Sequence, residues 1–185
     1  RIGSDRENEL VKALLTLPRL MGEALKLEAN LEQIAARLSK KENAIFIGRG
    51  LMNPLALEGA LKLKEISYIH AEGFAAGELK HGSIALIEDD MPVITIAPKD
   101  AMYPKTISNM QEVIARQGEI ILLTEDPGNT DTDNITDLIF LPEIDPVLTP
   151  ILYTIPLQLL AYHTAVAKGT DVDQPRNLAK SVTVE

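Results

Sequence analysis

Apolar residues follow two rhythms along this chain, and the change between them marks out its organisation. Leu10, Val11, Leu14 and Leu15 sit at helical spacing behind Ser4 and Glu7, which stand three apart as the partners of a capping box do. Pro18 interrupts that pattern, and Leu20, Ala24 and Leu27, then Leu31, Ile34, Ala35 and Leu38, predict two further helical stretches ending at Lys40-Lys41. From Ala44 the rhythm changes. Ala44-Ile45-Phe46-Ile47-Gly48 is a continuous apolar run closed by glycine, the pattern of a parallel strand buried on both faces. Asn53 as N-cap and Pro54 as first helical residue then predict a helix running to about Ile69. Further strands are expected at Ala85–Ile87, Val93–Ala97, Glu119–Leu123 and Leu138–Leu141, with helices over Pro104–Gln117 and Pro150–Lys168.

Strands alternating with helices require right-handed crossovers and a parallel sheet covered on both faces. The expected fold is therefore α/β: a three-layer αβα sandwich with a flavodoxin-like parallel sheet and an all-helical N-terminal lead-in. Residues 1–40 form the lead-in, 41–168 the α/β domain and 169–185 a tail. Ligands of such sheets lie beyond the carboxyl ends of the strands. Gly48-Arg49-Gly50 falls at one of those ends, and reads either as a tight turn or as an anion cradle before a helix N-terminus.

Composition narrows the chemistry. With 185 residues, 45% of them hydrophobic, the chain can bury one core. A formal charge of -9 offers no general attraction to nucleic acid or to an anionic membrane surface, and neither partner is expected. The absence of cysteine excludes disulfides, cysteine-ligated zinc and a thiol nucleophile; with no signal peptide or long apolar run, the expected location is cytoplasmic. The start at Arg1, without an initiator methionine and straight into helical sequence, suggests a piece of a longer protein.

Two segments could carry chemistry. On the helix after the first strand, Glu58, Lys62 and Glu65 stand at i, i+4 and i+7, so they share one face, either as a solvated Glu-Lys stripe or as a functional cluster. The segment Ala71–Gly82 combines small residues with Glu72, Glu78, Lys80 and His81, and reads as a loop with a short helix. His81 is either a surface histidine or an acid–base group near neutral pH. His70, His81 and His163 form no recognisable ligand motif, so no metal is expected. From spacing alone, residues 169–185 are only a tail.

Three stretches together carry a resemblance: Ala56-Leu57-Glu58-Gly59-Ala60-Leu61-Lys62-Leu63-Lys64-Glu65-Ile66-Ser67-Tyr68-Ile69-His70-Ala71-Glu72, then Gly77-Glu78-Leu79-Lys80-His81-Gly82, and the closing Asp171–Glu185. In these the chain resembles the glucosamine-6-phosphate synthases, over nearly its whole length. The resemblance implies the second of two SIS (sugar isomerase) subdomains. It also implies a parent enzyme in which a glutaminase domain releases ammonia to aminate fructose-6-phosphate, giving glucosamine-6-phosphate. The glutaminase and the first subdomain, with its phosphate-holding Ser/Thr loop, have no counterpart in these residues, and no cofactor is expected.

Site roles follow only from that resemblance. Glu65 is implied to be the base moving a proton between C1 and C2, with Lys62 beside it to relay a proton or stabilise charge on oxygen. His81 is implied to open the sugar ring, reaching the site from the other subunit of a homodimer. Lys180 is implied to contact the open-chain carbonyl and form a Schiff base with it. Ala179 would lie near the substrate, and Arg176 and Asn177 would fix the path of a tail that folds over the sugar as a lid. Two alternatives from other classes are a non-catalytic regulatory module that only binds a sugar phosphate, and a structural dimerisation domain.

Overall fold

The structure, a computed structural model, describes residues 3–125 and 130–178. Two helices, α1 (Ser4–Leu25) and α2 (Glu28–Leu38), precede strand β1 (Asn43–Gly48), helix α3 (Met52–Ser67) and strand β2 (His70–Ala75). Two short 3-10 turns, Leu79–His81 and Ser83–Leu86, lead to β3 (Pro92–Ile96), α4 (Tyr103–Ile114), β4 (Glu119–Thr124), β5 (Asp137–Phe140) and α5 (Thr149–Lys168). All strand pairs are parallel and the order is β2-β1-β3-β4-β5, the flavodoxin-like arrangement expected from the sequence.

Strand alternation sorts the apolar runs into two cores. Phe46, Ile94, Ile96, Ile121 and Leu123 point to one face, where α3 and α5 lie on the sheet and α1 and α2 pack alongside α5. Ile45, Ile47, Val93, Ile120 and Leu122 point to the other, covered by α4 and the 3-10 turns. Small residues bring α3 unusually close. A Cβ on Gly59 would stand 2.9 Å from the Phe46 ring, and one on Gly73 would stand 2.7 Å from the Leu57 Cα and backbone N. Arg6 clamps α1 to the segment before α5, its two terminal nitrogens donating to Asp145 Oδ2 at 2.6 Å and Oδ1 at 2.9 Å.

Several local expectations are corrected. Ser4 does not cap α1: it is already helical, Gly3 holds the cap position and no side-chain cap forms. Pro18 does not end α1, which continues through it with the proline on the solvent side, where water can solvate the carbonyl that loses its donor. Asn53 is not the cap of α3 either. The Gly48–Leu51 turn begins the helix early, with the Met52 N–H donating to the Arg49 carbonyl at 2.9 Å and the Asn53 N–H to the Gly50 carbonyl at 3.2 Å. Ala85–Ile87 forms no strand. Ala85 and Leu86 are exposed in the 3-10 turn Ser83–Leu86, which takes up the segment and leaves Ile87 alone extended before Glu88. In its place β2 is the unexpected strand, an edge strand pairing only with β1 from His70↔Asn43 to Ala75↔Gly48.

Candidate active site

Helix α3 leaves the carboxyl end of β1 and runs back to the sheet's opposite end, where β2 begins. Its buried side is Leu55, Ala56, Gly59, Ala60 and Leu63, which leaves Glu58, Lys62 and Glu65 on the outer face. Lys62 Nζ donates to Glu65 Oε2 at 2.7 Å and stands 3.8 Å from Glu58 Oε1. The hydrogen bond to Glu65 is the main reason that the Lys62 ammonium is held above its ordinary pKa. The side chains of Lys62 and Glu65 keep 34% and 28% of their exposure, enough to meet a ligand and too little for full hydration.

The end of α3 is built for a docked chain. Ser67 is fully buried; its hydroxyl donates to the Leu63 carbonyl at 2.6 Å and accepts the Ile69 N–H at 3.3 Å. Tyr68 ends the helix in the left-handed region, with φ 62°. Beyond α5, Gly169 also turns left-handed, with φ 73°, and the Thr170 hydroxyl reaches the Ile66 carbonyl at 2.6 Å. Asp171 Oδ1 accepts the N–H groups of Asp173 and Gln174, both at 2.9 Å, folding the chain into a tight turn. The Arg176 N–H then donates to the Tyr68 hydroxyl at 2.7 Å, and its guanidinium lies 4.2 Å from the centre of the Tyr68 ring. Asn177 follows with φ 63°. Between this strap and α3 opens a cleft of about 600 Å³, lined by Glu65, Ile66, Val172, Asp173, Gln174, Pro175 and Leu178.

The sequence-based candidates are thus divided. Lys62, Glu65, Arg176 and Asn177 gather at the amino-end side of the sheet. His81 lies after the carboxyl end of β2, exposed, in the Leu79–His81 turn. The length of β2 separates it from Glu65, about 20 Å for a strand of this size. Ala179 and Lys180 lie outside the described residues. Sequence reasoning passed over Ser67, Tyr68 and Thr170. The Asp171-x-Asp173 spacing is a visible turn signal, but the Tyr68 and Thr170 hydroxyls reveal their distant partners only once the chain is folded. At the carboxyl ends of the strands, Gly48-Arg49-Gly50 is a tight turn with Gly50 at φ 55°, and the Arg49 guanidinium donates to Asn109 Oδ1 at 2.8 Å. Among the described residues no group of three His, Cys, Asp or Glu side chains is placed to hold a metal ion.

A doubly wound five-stranded sheet with this helix order defines the class, and the SIS domain family model matches residues 37–168: the chain belongs to the SIS domain family. Within it, the chain is 58% identical to a glutamine–fructose-6-phosphate aminotransferase (isomerizing) of Rhizobium meliloti (strain 1021) and 54% identical to that of Pseudomonas aeruginosa, in both cases over 100% of its own length. It spans 31% and 30% of those relatives. The solved C-terminal domain of glucosamine-fructose-6-phosphate aminotransferase from Francisella tularensis superposes with a TM-score of 0.90 at 45% identity, covering 94% of this chain and 49% of that one. A putative phosphosugar isomerase from Bacillus subtilis shares the fold, with a TM-score of 0.73 at 20% identity over 91% of this chain and 50% of that one.

Proposed function

We propose that this chain supplies the isomerising site of an enzyme that makes glucosamine-6-phosphate from fructose-6-phosphate and glutamine, working in the cytoplasm with a phosphate-holding SIS subdomain and a glutaminase domain. The observation that carries the reading is the partly buried Lys62–Glu65 pair, whose glutamate lines the cleft between α3 and residues 172–178. Supporting it, relatives at 54–58% identity over the whole chain bear the name of such an aminotransferase.

The chemistry follows from what an aldose–ketose shift needs. Once ammonia has replaced the C2 oxygen of the open-chain ketose as an imine, with loss of water, a base must take a proton from C1 and an acid return one to C2, while the C1 hydroxyl gives up its proton and the nitrogen gains one, leaving an aldehyde at C1 and an amine at C2. Glu65 is the base, a carboxylate in a partly dry cleft with a hydrogen-bonded ammonium at its side. Lys62 donates toward oxygen as negative charge gathers there. Lys180 is the amine assigned to take the open-chain carbonyl first as a Schiff base, to be displaced by ammonia as the imine forms; Ala179 is assigned to the substrate's surroundings, and Arg176 and Asn177 to directing the tail. His81, about 20 Å from Glu65 along β2, opens the ring of a sugar bound to the other subunit of a homodimer.

Glu65→Gln in the full-length enzyme tests this. The amide keeps the shape and removes the base, so synthesis should fall by about 10²–10⁴ while glutamine hydrolysis and sugar binding persist. Near wild-type synthesis from Glu65→Gln, with Glu58→Gln inactive, would overturn the assignment.

A further inference from the structure

Tyr68 has no place in the chemistry above, yet it stands at a left-handed helix end, where glycine is the usual residue. It terminates α3 at φ 62° and ψ 15°, its N–H donating to the Lys64 carbonyl at 3.2 Å. A side chain in the left-handed region is unfavourable, because its Cβ crowds the following carbonyl, and such outliers persist where the surroundings hold them for a purpose. What holds this one is Arg176, through two contacts of different kinds. The hydroxyl accepts the backbone N–H of Arg176 at 2.7 Å, and the guanidinium sits 4.2 Å from the ring centre, within cation–π range. The residue after Arg176 is itself left-handed, with φ 63° at Asn177, so the chain changes direction where it leaves the tyrosine.

We infer that Tyr68 is a positioning residue: its hydroxyl and ring latch Arg176 to the end of the helix that carries Lys62 and Glu65, and so set the point from which the tail leads toward Lys180. The inference rests on the proposed function for its catalytic consequence, but the latch itself does not. Two anchors flank the cleft. The Thr170–Ile66 bond fixes where the strap begins, and Tyr68 fixes where it ends, at Arg176 just past the Asp171–Gln174 turn. The Lys64 carbonyl accepts the Tyr68 N–H and the Ser67 hydroxyl accepts the Ile69 N–H, so the backbone on either side of the tyrosine ring is tied to α3 and a shift of the helix end carries Arg176 with it. The end of α3 and the strap from Thr170 to Arg176 are therefore one mechanical unit.

The test uses hydrogen exchange on this chain and kinetics on the full-length enzyme. Tyr68→Phe deletes the acceptor for the Arg176 N–H and keeps the ring. Tyr68→Asn keeps a residue tolerant of the left-handed turn and deletes both contacts. The Arg176 amide should exchange about tenfold faster in Tyr68→Phe and faster again in Tyr68→Asn, with the thermal midpoint of the chain moving by no more than about 2 °C. In the full-length enzyme kcat for synthesis should fall about three- to tenfold with KM for fructose-6-phosphate little changed. Arg176→Ala should add nothing to Tyr68→Asn, since both break one latch. Unchanged exchange at Arg176 would sink the latch. Faster exchange with unchanged kcat, or additive losses in the double variant, would overturn the positioning role. Glu65→Gln distinguishes the two ideas: if it leaves synthesis intact the proposed function fails, while exchange at Arg176 still reports on the latch.

Discussion

Gly73→Ala probes the close approach of α3 to β2. The new methyl would lie 2.7 Å from the Leu57 Cα and N and 2.8 Å from the Ala56 carbonyl carbon. Carbon contacts settle near 3.5 Å, so the shortfall is about 0.8 Å against backbone that has no rotamer to escape into. The whole helix must rise from the sheet, opening gaps under Ala56, Gly59 and Ala60. Overpacking of this kind costs about 1–3 kcal/mol, and the stiffer unfolded chain returns only about 0.4–1 kcal/mol. A net loss of about 1–2 kcal/mol would lower the thermal midpoint by roughly 2–8 °C in a domain of this size. Gly22→Ala is the matched control: it lies in α1, exposed, with nothing within 4 Å of the added methyl. There the same substitution should stabilise by about 0.5–1 kcal/mol. Urea unfolding of both variants, with midpoints compared at unchanged slope, measures the difference. A Gly73→Ala protein within about 0.5 kcal/mol of wild type would show that α3 is not held to β2 as closely as described.

Ser67→Ala should cost about 1–3 kcal/mol in chemical denaturation, because it strands the buried Ile69 N–H, and a cost no greater than that of an exposed serine would contradict that accounting. The Arg6 guanidinium holds the Asp145 carboxyl below its ordinary 3.8, so this pair stabilises fully above that value and is lost as pH falls through the lower folded pKa. Amide exchange in α1 should therefore quicken below about pH 3.8, and Asp145→Asn should flatten that dependence; an identical acid profile in the variant would refute it.

The central strands are legible in the sequence because a strand buried on both faces must be apolar throughout, as Ala44–Gly48 is. The edge strand is not. His70–Ala75 mixes a histidine, a glutamate and a glycine, since one side of an edge needs no apolar neighbour and Gly73 answers to a helix backbone that spacing does not reveal. Conversely, Ala85–Ile87 is apolar without being paired. The contact between Lys62 and Glu65 follows from their separation on a helix. Docking of residues 170–176 does not, because it depends on a left-handed tyrosine and on two hydroxyls whose partners are far away along the chain.

The placement of Glu65 and His81 at opposite ends of one sheet has a genetic consequence. If each ligand meets the glutamate of one subunit and the histidine of the other, two dead alleles can rescue each other. A Glu65→Gln subunit joined to a His81→Gln subunit forms one site with both substitutions and one with neither. Random pairing makes half the dimers mixed, so co-expression should restore about a quarter of wild-type activity from two inactive parents. No recovery on mixing would mean that each subunit uses its own histidine, and the roughly 20 Å between the two residues would then have to close within one chain.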